Sequence, residues 1–269
     1  MRNIDARFIG DLLNGELAYF LNRVKENRDG LSLEIRDGYV NIYYKGGNLL
    51  KITQKRNGYS FFFDAKYCKH ENGENFELLN GLPTDDAECY KTHFKQMQQE
   101  MDDWFAEHPK AERDYQHRLL VNNPQIVDIE YQIGRTMRLD MLMFSGGRLL
   151  ITENKYGTGA IGGKAGLAEH YEDICRVLRE QKLLDELTES VCSISHAKHA
   201  LGLTDTVIGR EDIKCVEILF LLANYNPDSQ SLYKEMEKMD GSVPANILML
   251  SGDEIKLDLT RAEGLLLRA

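Results

Sequence analysis

The first part of the chain carries one helical pattern and then four short strand patterns. Apolar residues from Ile4 to Val24 recur at helical spacing, which predicts an amphipathic helix over residues 4–28. The dipeptides Asp-Gly, Gly-Gly and Asn-Gly separate four apolar runs, which are LSLEI, YVNIYYK, NLLKITQ and YSFFFD. Such dipeptides between apolar runs are strong hairpin signals. The pattern therefore predicts a helix followed by an antiparallel meander.

A polar, turn-rich stretch, HENGENFELLNGLPTDD, follows the meander. It places a domain boundary near residue 84 and predicts two domains, 1–84 and 85–269. The second domain alternates helical and strand patterns. The predicted helices are 85–107, 111–123, 164–179, 180–202 and 229–239. The predicted strands are 126–133, 137–144, 148–155, CVEILFLLANY and NILMLS. This order predicts an α/β domain with a mixed sheet flanked by helices, and an α+β chain overall.

Composition narrows the class of protein. Apolar residues make up 42% and charged residues 28% of the 269, as in globular proteins. No apolar run reaches the roughly 20 residues that span a bilayer, so no membrane association is expected. The charged N-terminus does not resemble a secretory signal. Five scattered cysteines form no paired framework, which predicts reduced thiols and a cytoplasmic location.

Charge is unevenly distributed along the chain. The net charge of −10 argues against indiscriminate binding to nucleic acid. Residues 70–112, however, hold eleven acidic side chains against three basic ones, whereas residues 132–166 hold five basic against two acidic. The basic segment contains the most informative stretch of the sequence, RLDMLMFSGGRLLITENK.

This stretch predicts a hairpin with charges at its open end. If Gly146-Gly147 forms a two-residue turn, Ser145 faces Arg148 and, further along, Asp140 faces Glu153. Directly opposed residues have Cβ atoms about 4.5–5.5 Å apart, so these carboxylates could share one divalent cation. Lys155 lies two residues beyond Glu153 and shares its face. Ordinary salt bridges on a surface hairpin are the alternative.

The residue types indicate a particular chemistry. Two close carboxylates repel unless one is protonated or a cation lies between them, and hard oxygen ligands suit Mg²⁺ or Mn²⁺. A lysine beside such a metal can orient water or neutralise a phosphoryl transition state. The hairpin therefore predicts metal-assisted hydrolysis of a phosphodiester.

Asp140, Glu153-Asn154-Lys155 and the helices on either side of the hairpin resemble the PD-(D/E)XK nuclease superfamily, which has the restriction-endonuclease-like fold. AERDYQHRLLVNNPQIV is similar to the first helix of several branches. The resemblance implies Asp140 and Glu153 as metal ligands, Lys155 as the catalytic lysine and Glu112 as an acid from the helix. The sequence departs from the family pattern in having Leu139 before the first acid, and the second helix lacks a Gln-x-x-x-Tyr pattern.

The residues and the resemblance together lead to further expectations. The cofactor is Mg²⁺, for which Mn²⁺ substitutes, and the substrate is DNA, with RNA and a homodimer left open. Arg135, Arg138 and Lys164 are expected to contact phosphate, together with Gln116, one helical turn beyond Glu112. The N-terminal domain would recognise a substrate or a partner.

Alternatives remain open. One is a nuclease fold that has lost cleavage and acts as a binding or regulatory protein. A weaker one is a nucleotide-binding enzyme that uses GTGAIG, residues 157–162, as a phosphate loop. Glu169-His170 is interpreted as a solvated helix face, with a general base as the alternative. The aromatic residues of the meander predict the core face of a sheet, with a stacking platform for bases as the alternative.

Overall fold

The computed structural model describes residues 1–68, 84–134, 137–163 and 166–265. The predicted mixture of helices and mixed sheet is confirmed, with a four-stranded and a six-stranded sheet. The chain divides into two compact units: Met1–His117 with Ser193–Val207, and Arg118–Cys192 with Ile208–Ala269. These units differ from the predicted ranges 1–84 and 85–269. The first unit extends beyond residue 84 because aromatic side chains that follow this position pack into its core. The Phe94 ring, for example, lies 6.1 Å from the Phe20 ring between centroids.

The helices of the first unit are shorter than predicted. Among the described residues it contains α1 (Ala6–Asn14), α2 (Ala18–Glu26), α3 (Ala87–Thr92) and α4 (Phe94–Glu107); α5 (Ala111–Asn122) begins in it, and a later helix ends in it. The predicted helix 4–28 is divided after Asn14, where Gly15 adopts an extended backbone and donates its N–H to Asp11. The predicted helix 85–107 is divided at His93, whose Nδ1 lies 2.8 Å from the carbonyl oxygen of Cys89.

The predicted meander is confirmed. Its strands are β1 (Leu31–Ile35), β2 (Tyr39–Tyr44), β3 (Gly47–Lys55) and β4 (Gly58–Phe62), each antiparallel to the next. Tyr59, Phe61 and Phe63 are buried, and the Phe61 ring lies 5.5 Å from that of Tyr90 and 5.7 Å from that of Phe20. These rings therefore form the core face of the sheet, as predicted, and are not accessible for stacking on bases.

The second unit holds the larger sheet. Its strands are β5 (Ile126–Ile133), β6 (Met137–Ser145), β7 (Arg148–Tyr156), β8 (Cys215–Ala223), β9 (Ala245–Leu250) and β10 (Glu263–Leu265), in the order β10-β9-β8-β7-β6-β5. β5, β6 and β7 pair antiparallel, whereas β7, β8 and β9 pair parallel. The chain crosses from β7 to β8 through α6 (Leu167–Arg179) and α7 (Gln181–Ala200), and α8 (Ser231–Met236) lies between β8 and β9.

β8 shows why the centre of this sheet is stable. Every residue from Ile218 to Ala223 is buried, as expected for a strand that is covered on both faces. α6 packs against β7 and β8. Among the described residues, no helix combines the length and apolarity that a bilayer crossing needs. One of the two strands that flank β8 is β7, which carries Glu153 and Lys155.

Candidate active site

The hairpin of β6 and β7 has the predicted register. Ser145 pairs with Arg148, Phe144 with Leu149 and Leu142 with Ile151. Gly146 and Gly147 have φ values of 59° and 83°, the left-handed conformations that a two-residue turn of this type requires. The prediction of a Gly-Gly turn is therefore confirmed, and the predicted pairing is confirmed as far as Met141 with Thr152.

Asp140 and Glu153 lie just beyond the last regular pair of this ladder, Met141 with Thr152. The two carboxyl groups lie close enough for the charge of Asp140 to act on Glu153. The Asp140 Oδ2 also accepts the backbone N–H of Asn154 at 3.0 Å. The backbone of one strand thus fixes the carboxylate of the other, and the two acids meet as their alternation predicts.

Two cationic or donor groups meet the same oxygen of Glu153. The Lys155 Nζ lies 2.8 Å from Glu153 Oε1 and the His170 Nε2 lies 3.0 Å from it. Side-chain exposure is 3% for Glu153, 7% for Lys155 and 24% for His170. The sequence suggested that His170 lies on a solvated helix face. That prediction is wrong, because His170 reaches from α6 to Glu153 on β7.

Burial and like charge shift the titration of the two acids. Burial raises the pKa of Glu153 well above its ordinary value of 4.5, and the charge of Asp140 raises it further against the opposing effect of Lys155. Burial also raises the pKa of Asp140, although the N–H of Asn154 and the charges of Lys155 and Arg138 oppose the rise. Burial therefore favours the protonated form of both acids, and the charge of Asp140 adds to this effect at Glu153.

The other predicted site residues are Glu112, Gln116, Arg135, Arg138 and Lys164. Glu112 and Gln116 lie on α5 within the first compact unit, where Glu112 is exposed, and their roles stay predictions. Arg138 is exposed and its Nη1 lies 3.3 Å from Glu130 Oε1. Arg135 and Lys164 lie outside the described residues.

The glycine-rich segment leads to α6, whose N-terminal backbone N–H groups already have a hydrogen-bond acceptor. Glu235 is buried, and its Oε2 accepts the backbone N–H of Ala168 in the first turn of α6 at 3.2 Å. A Cβ on Gly166 would lie 2.7 Å from that oxygen, so this glycine makes room for Glu235. A nucleotide phosphate bound here would meet a carboxylate at the position that phosphates use on helix N-termini. This observation argues against the nucleotide-binding alternative.

A strained residue lies beside Asp140. Ile129 pairs with Met141 and Tyr131 with Leu139, so Glu130 is the residue of β5 opposite Asp140. Its φ is 50°, a left-handed value that is uncommon outside glycine and costs about 1–2 kcal/mol. Such strain is found most often near functional sites. The sequence carries no signal for it.

The donor set suits a hard divalent cation. In the described part of the chain, no group of three or more His, Cys, Asp and Glu side chains is arranged to hold a metal. Two adjacent carboxylates match Mg²⁺ nonetheless, because Mg²⁺ keeps several waters and is commonly held by one or two protein carboxylates together with substrate phosphates. Asp140 and Glu153 therefore fit a magnesium or manganese ion that is largely hydrated.

Comparisons of the chain with protein-family models, with curated proteins and with solved structures gave no match.

The carboxyl pair predicts a pH dependence of stability. Both acids have raised pKa values in the folded protein, so the folded state binds protons more tightly than the unfolded state. Their contribution to stability is therefore largest below their ordinary pKa values and declines as pH rises through the raised values of the folded state. Asp140→Asn removes one charge of the pair, so we expect it to raise the melting temperature of metal-free protein at pH 7 by a few degrees.

The measurement is thermal unfolding from pH 4 to 8 in EDTA, followed by circular dichroism. A change of about 1 kcal/mol moves the midpoint by about 2–4 °C in a domain of 150–250 residues. Asp173→Asn, at an exposed acid of α6, is the matched control. A variant that is no more stable than the wild type at pH 7 would contradict the prediction.

Proposed function

We propose that this protein is a metal-dependent phosphodiesterase that cleaves DNA. The observation that supports this proposal best is the buried pair of Asp140 and Glu153, with the Lys155 ammonium group bound to the Glu153 carboxylate. Burial of two interacting acids costs free energy, and a pair without a cation gains little in return. A bound metal cation would offset the repulsion between the two carboxylates, and the same geometry would then hold the metal.

Each side chain has a distinct role in this proposal. Asp140 and Glu153 would hold the cation, with a backbone carbonyl of Thr152 or Asn154 as a further ligand. A bound Mg²⁺ supplies a Lewis acid and lowers the pKa of coordinated water. Lys155 would orient the attacking water or neutralise negative charge as it develops on the phosphoryl oxygens. Glu112 from α5 stays a proposed additional ligand.

The substrate follows from charge around the hairpin. Arg138 is exposed, and the segment from 132 to 166 has an excess of basic side chains, which favours a polyanion. Arg135, Lys164 and Gln116 are proposed phosphate contacts with Arg138. None of the five cysteines, all of which lie in the described residues, forms a disulfide, which supports a reducing compartment such as the cytoplasm. RNA and a homodimer are outcomes that the experiments below distinguish.

The test is cleavage by purified protein. Supercoiled plasmid, single-stranded DNA and RNA are incubated with wild type and with Asp140→Ala in Mg²⁺, Mn²⁺ or EDTA, and binding of Mn²⁺ is measured by calorimetry. We expect cleavage that depends on the metal and is lost in the variant, together with weaker Mn²⁺ binding by the variant.

Identical behaviour of the two proteins would refute the nuclease proposal. Wild type that binds DNA without cleaving it under any metal condition would favour the alternative, a nuclease-derived binding or regulatory protein. Gel filtration of the same samples gives the oligomeric state.

A further inference from the structure

We infer that His170 is a positioning residue for the metal site: it donates a hydrogen bond to Glu153 Oε1 and directs the other carboxylate oxygen, Oε2, toward the cation. This inference rests on the proposed function. It adds a residue from α6 to a site that is otherwise built from the hairpin of β6 and β7.

The contact geometry supports this role. The His170 Nε2 is 3.0 Å from Glu153 Oε1, the oxygen that also accepts from Lys155 at 2.8 Å. Neither contact uses Oε2. A carboxylate whose one oxygen is held by two donors cannot rotate freely, so its second oxygen keeps a constant direction. Outer groups that orient a ligand in this way typically change metal affinity or activity 10–100-fold when removed.

The surroundings of His170 hold it at this position. Its neighbour Tyr171 is fully buried, and the Tyr171 hydroxyl donates to the Val243 carbonyl at 2.9 Å and accepts the Val243 N–H at 3.0 Å. One turn earlier, Glu235 accepts the N–H of Ala168. These contacts thus fix the first turns of α6. His170 lies between Ala168 and Tyr171 in the sequence and presents its Nε2 to Glu153 on β7.

A structural role alone would not require this orientation. His170 is a half-buried residue of a helix that already packs on β7 and β8. Its partner is the acid that the proposed function uses as a ligand, and the contact joins side chains 17 positions apart on different elements. The contact therefore serves the carboxylate and not the packing of α6.

The test compares three proteins, wild type, His170→Ala and His170→Gln. The glutamine Nε2 can supply an N–H at nearly the same distance from the backbone, whereas alanine supplies none. Mn²⁺ affinity is measured by calorimetry and by the electron paramagnetic resonance signal of free Mn²⁺, and cleavage of plasmid is titrated against Mn²⁺. Melting temperatures check that all three proteins fold.

We expect His170→Ala to weaken Mn²⁺ binding about tenfold and to need correspondingly more Mn²⁺ for half-maximal cleavage, while His170→Gln stays within about threefold of the wild type. Equal Mn²⁺ affinity in wild type and His170→Ala would overturn the inference. So would a nitrogen coupling in the electron spin-echo spectrum of bound Mn²⁺ that His170→Ala abolishes, because His170 would then be a ligand itself. Wild type that neither binds Mn²⁺ nor cleaves refutes the proposed function instead, which keeps the two failures distinct.

Discussion

Lys155→Met is expected to slow Mg²⁺-dependent cleavage by about 10²–10³-fold, the loss that follows removal of one preorganised charge-stabilising donor. Lys155 is 7% exposed and its Nζ lies 2.8 Å from Glu153 Oε1, so its charge acts inside a site largely shielded from solvent. Methionine keeps most of the length and of the apolar volume of the side chain but supplies no charge. The loss should appear in kcat because the charge acts on the transition state.

Lys155→Met should not weaken metal binding, although it slows cleavage. Lys155 repels a cation that Asp140 and Glu153 attract, so Lys155→Met is expected to bind Mn²⁺ as tightly as the wild type or more tightly. Steady-state cleavage at saturating Mn²⁺ and calorimetry of Mn²⁺ binding separate the two effects. Lys182→Met is the control, since Lys182 lies on α7 with its side chain 86% exposed. A Lys155→Met protein with unchanged kcat would remove Lys155 from the chemistry.

The part of the site that could be predicted is the part that depends on local rules. A Gly-Gly turn fixes the register of β6 and β7, and strict alternation then brings Asp140, Glu153 and Lys155 to one face. Neither step needs information from outside the hairpin. The same reasoning accounts for the meander, whose turns are also marked by glycine dipeptides.

The parts that could not be predicted depend on tertiary placement or on backbone strain. His170 reaches Glu153 only because α6 packs against β7, and Glu235 meets the start of α6 from an element far along the chain. Helical periodicity says which residues share a face of α6 but not which strand that face meets. Glu130 has a left-handed backbone although nothing in its residue type requires one.

The composition of the first unit is a further case of tertiary placement. Ser193–Val207, which includes the end of α7, belongs to the same compact unit as the N-terminal meander. The link is electrostatic: the Lys198 Nζ lies 2.7 Å from Glu34 Oε2, with side-chain exposures of 10% and 1%. More than 160 positions separate the two residues, and neither has a local sequence signal for this partner. A buried charge pair therefore joins a distant helix segment to β1.

Breaking this pair is expected to destabilise the first unit strongly. Lys198→Met leaves the Glu34 carboxylate buried without the ammonium group that faces it, a change that typically costs about 3–5 kcal/mol. The double variant Glu34→Leu with Lys198→Met removes both charges, and buried pairs replaced by apolar residues are often no less stable than the original. We therefore expect the double variant to recover most of the loss.

Urea unfolding followed by circular dichroism, with separate fits if the two units unfold independently, measures the effect. Lys182→Met again serves as the control on the same helix and should change the free energy of unfolding by less than about 0.5 kcal/mol. If Lys198→Met and the double variant were equally unstable, the loss would come from packing of the lysine stem and not from an unpaired charge. If neither were destabilised, the ion pair would contribute nothing to the stability of the first unit, and the burial of apolar residues of this segment, such as Ile194, Ala197 and Leu201, would have to account for its place there.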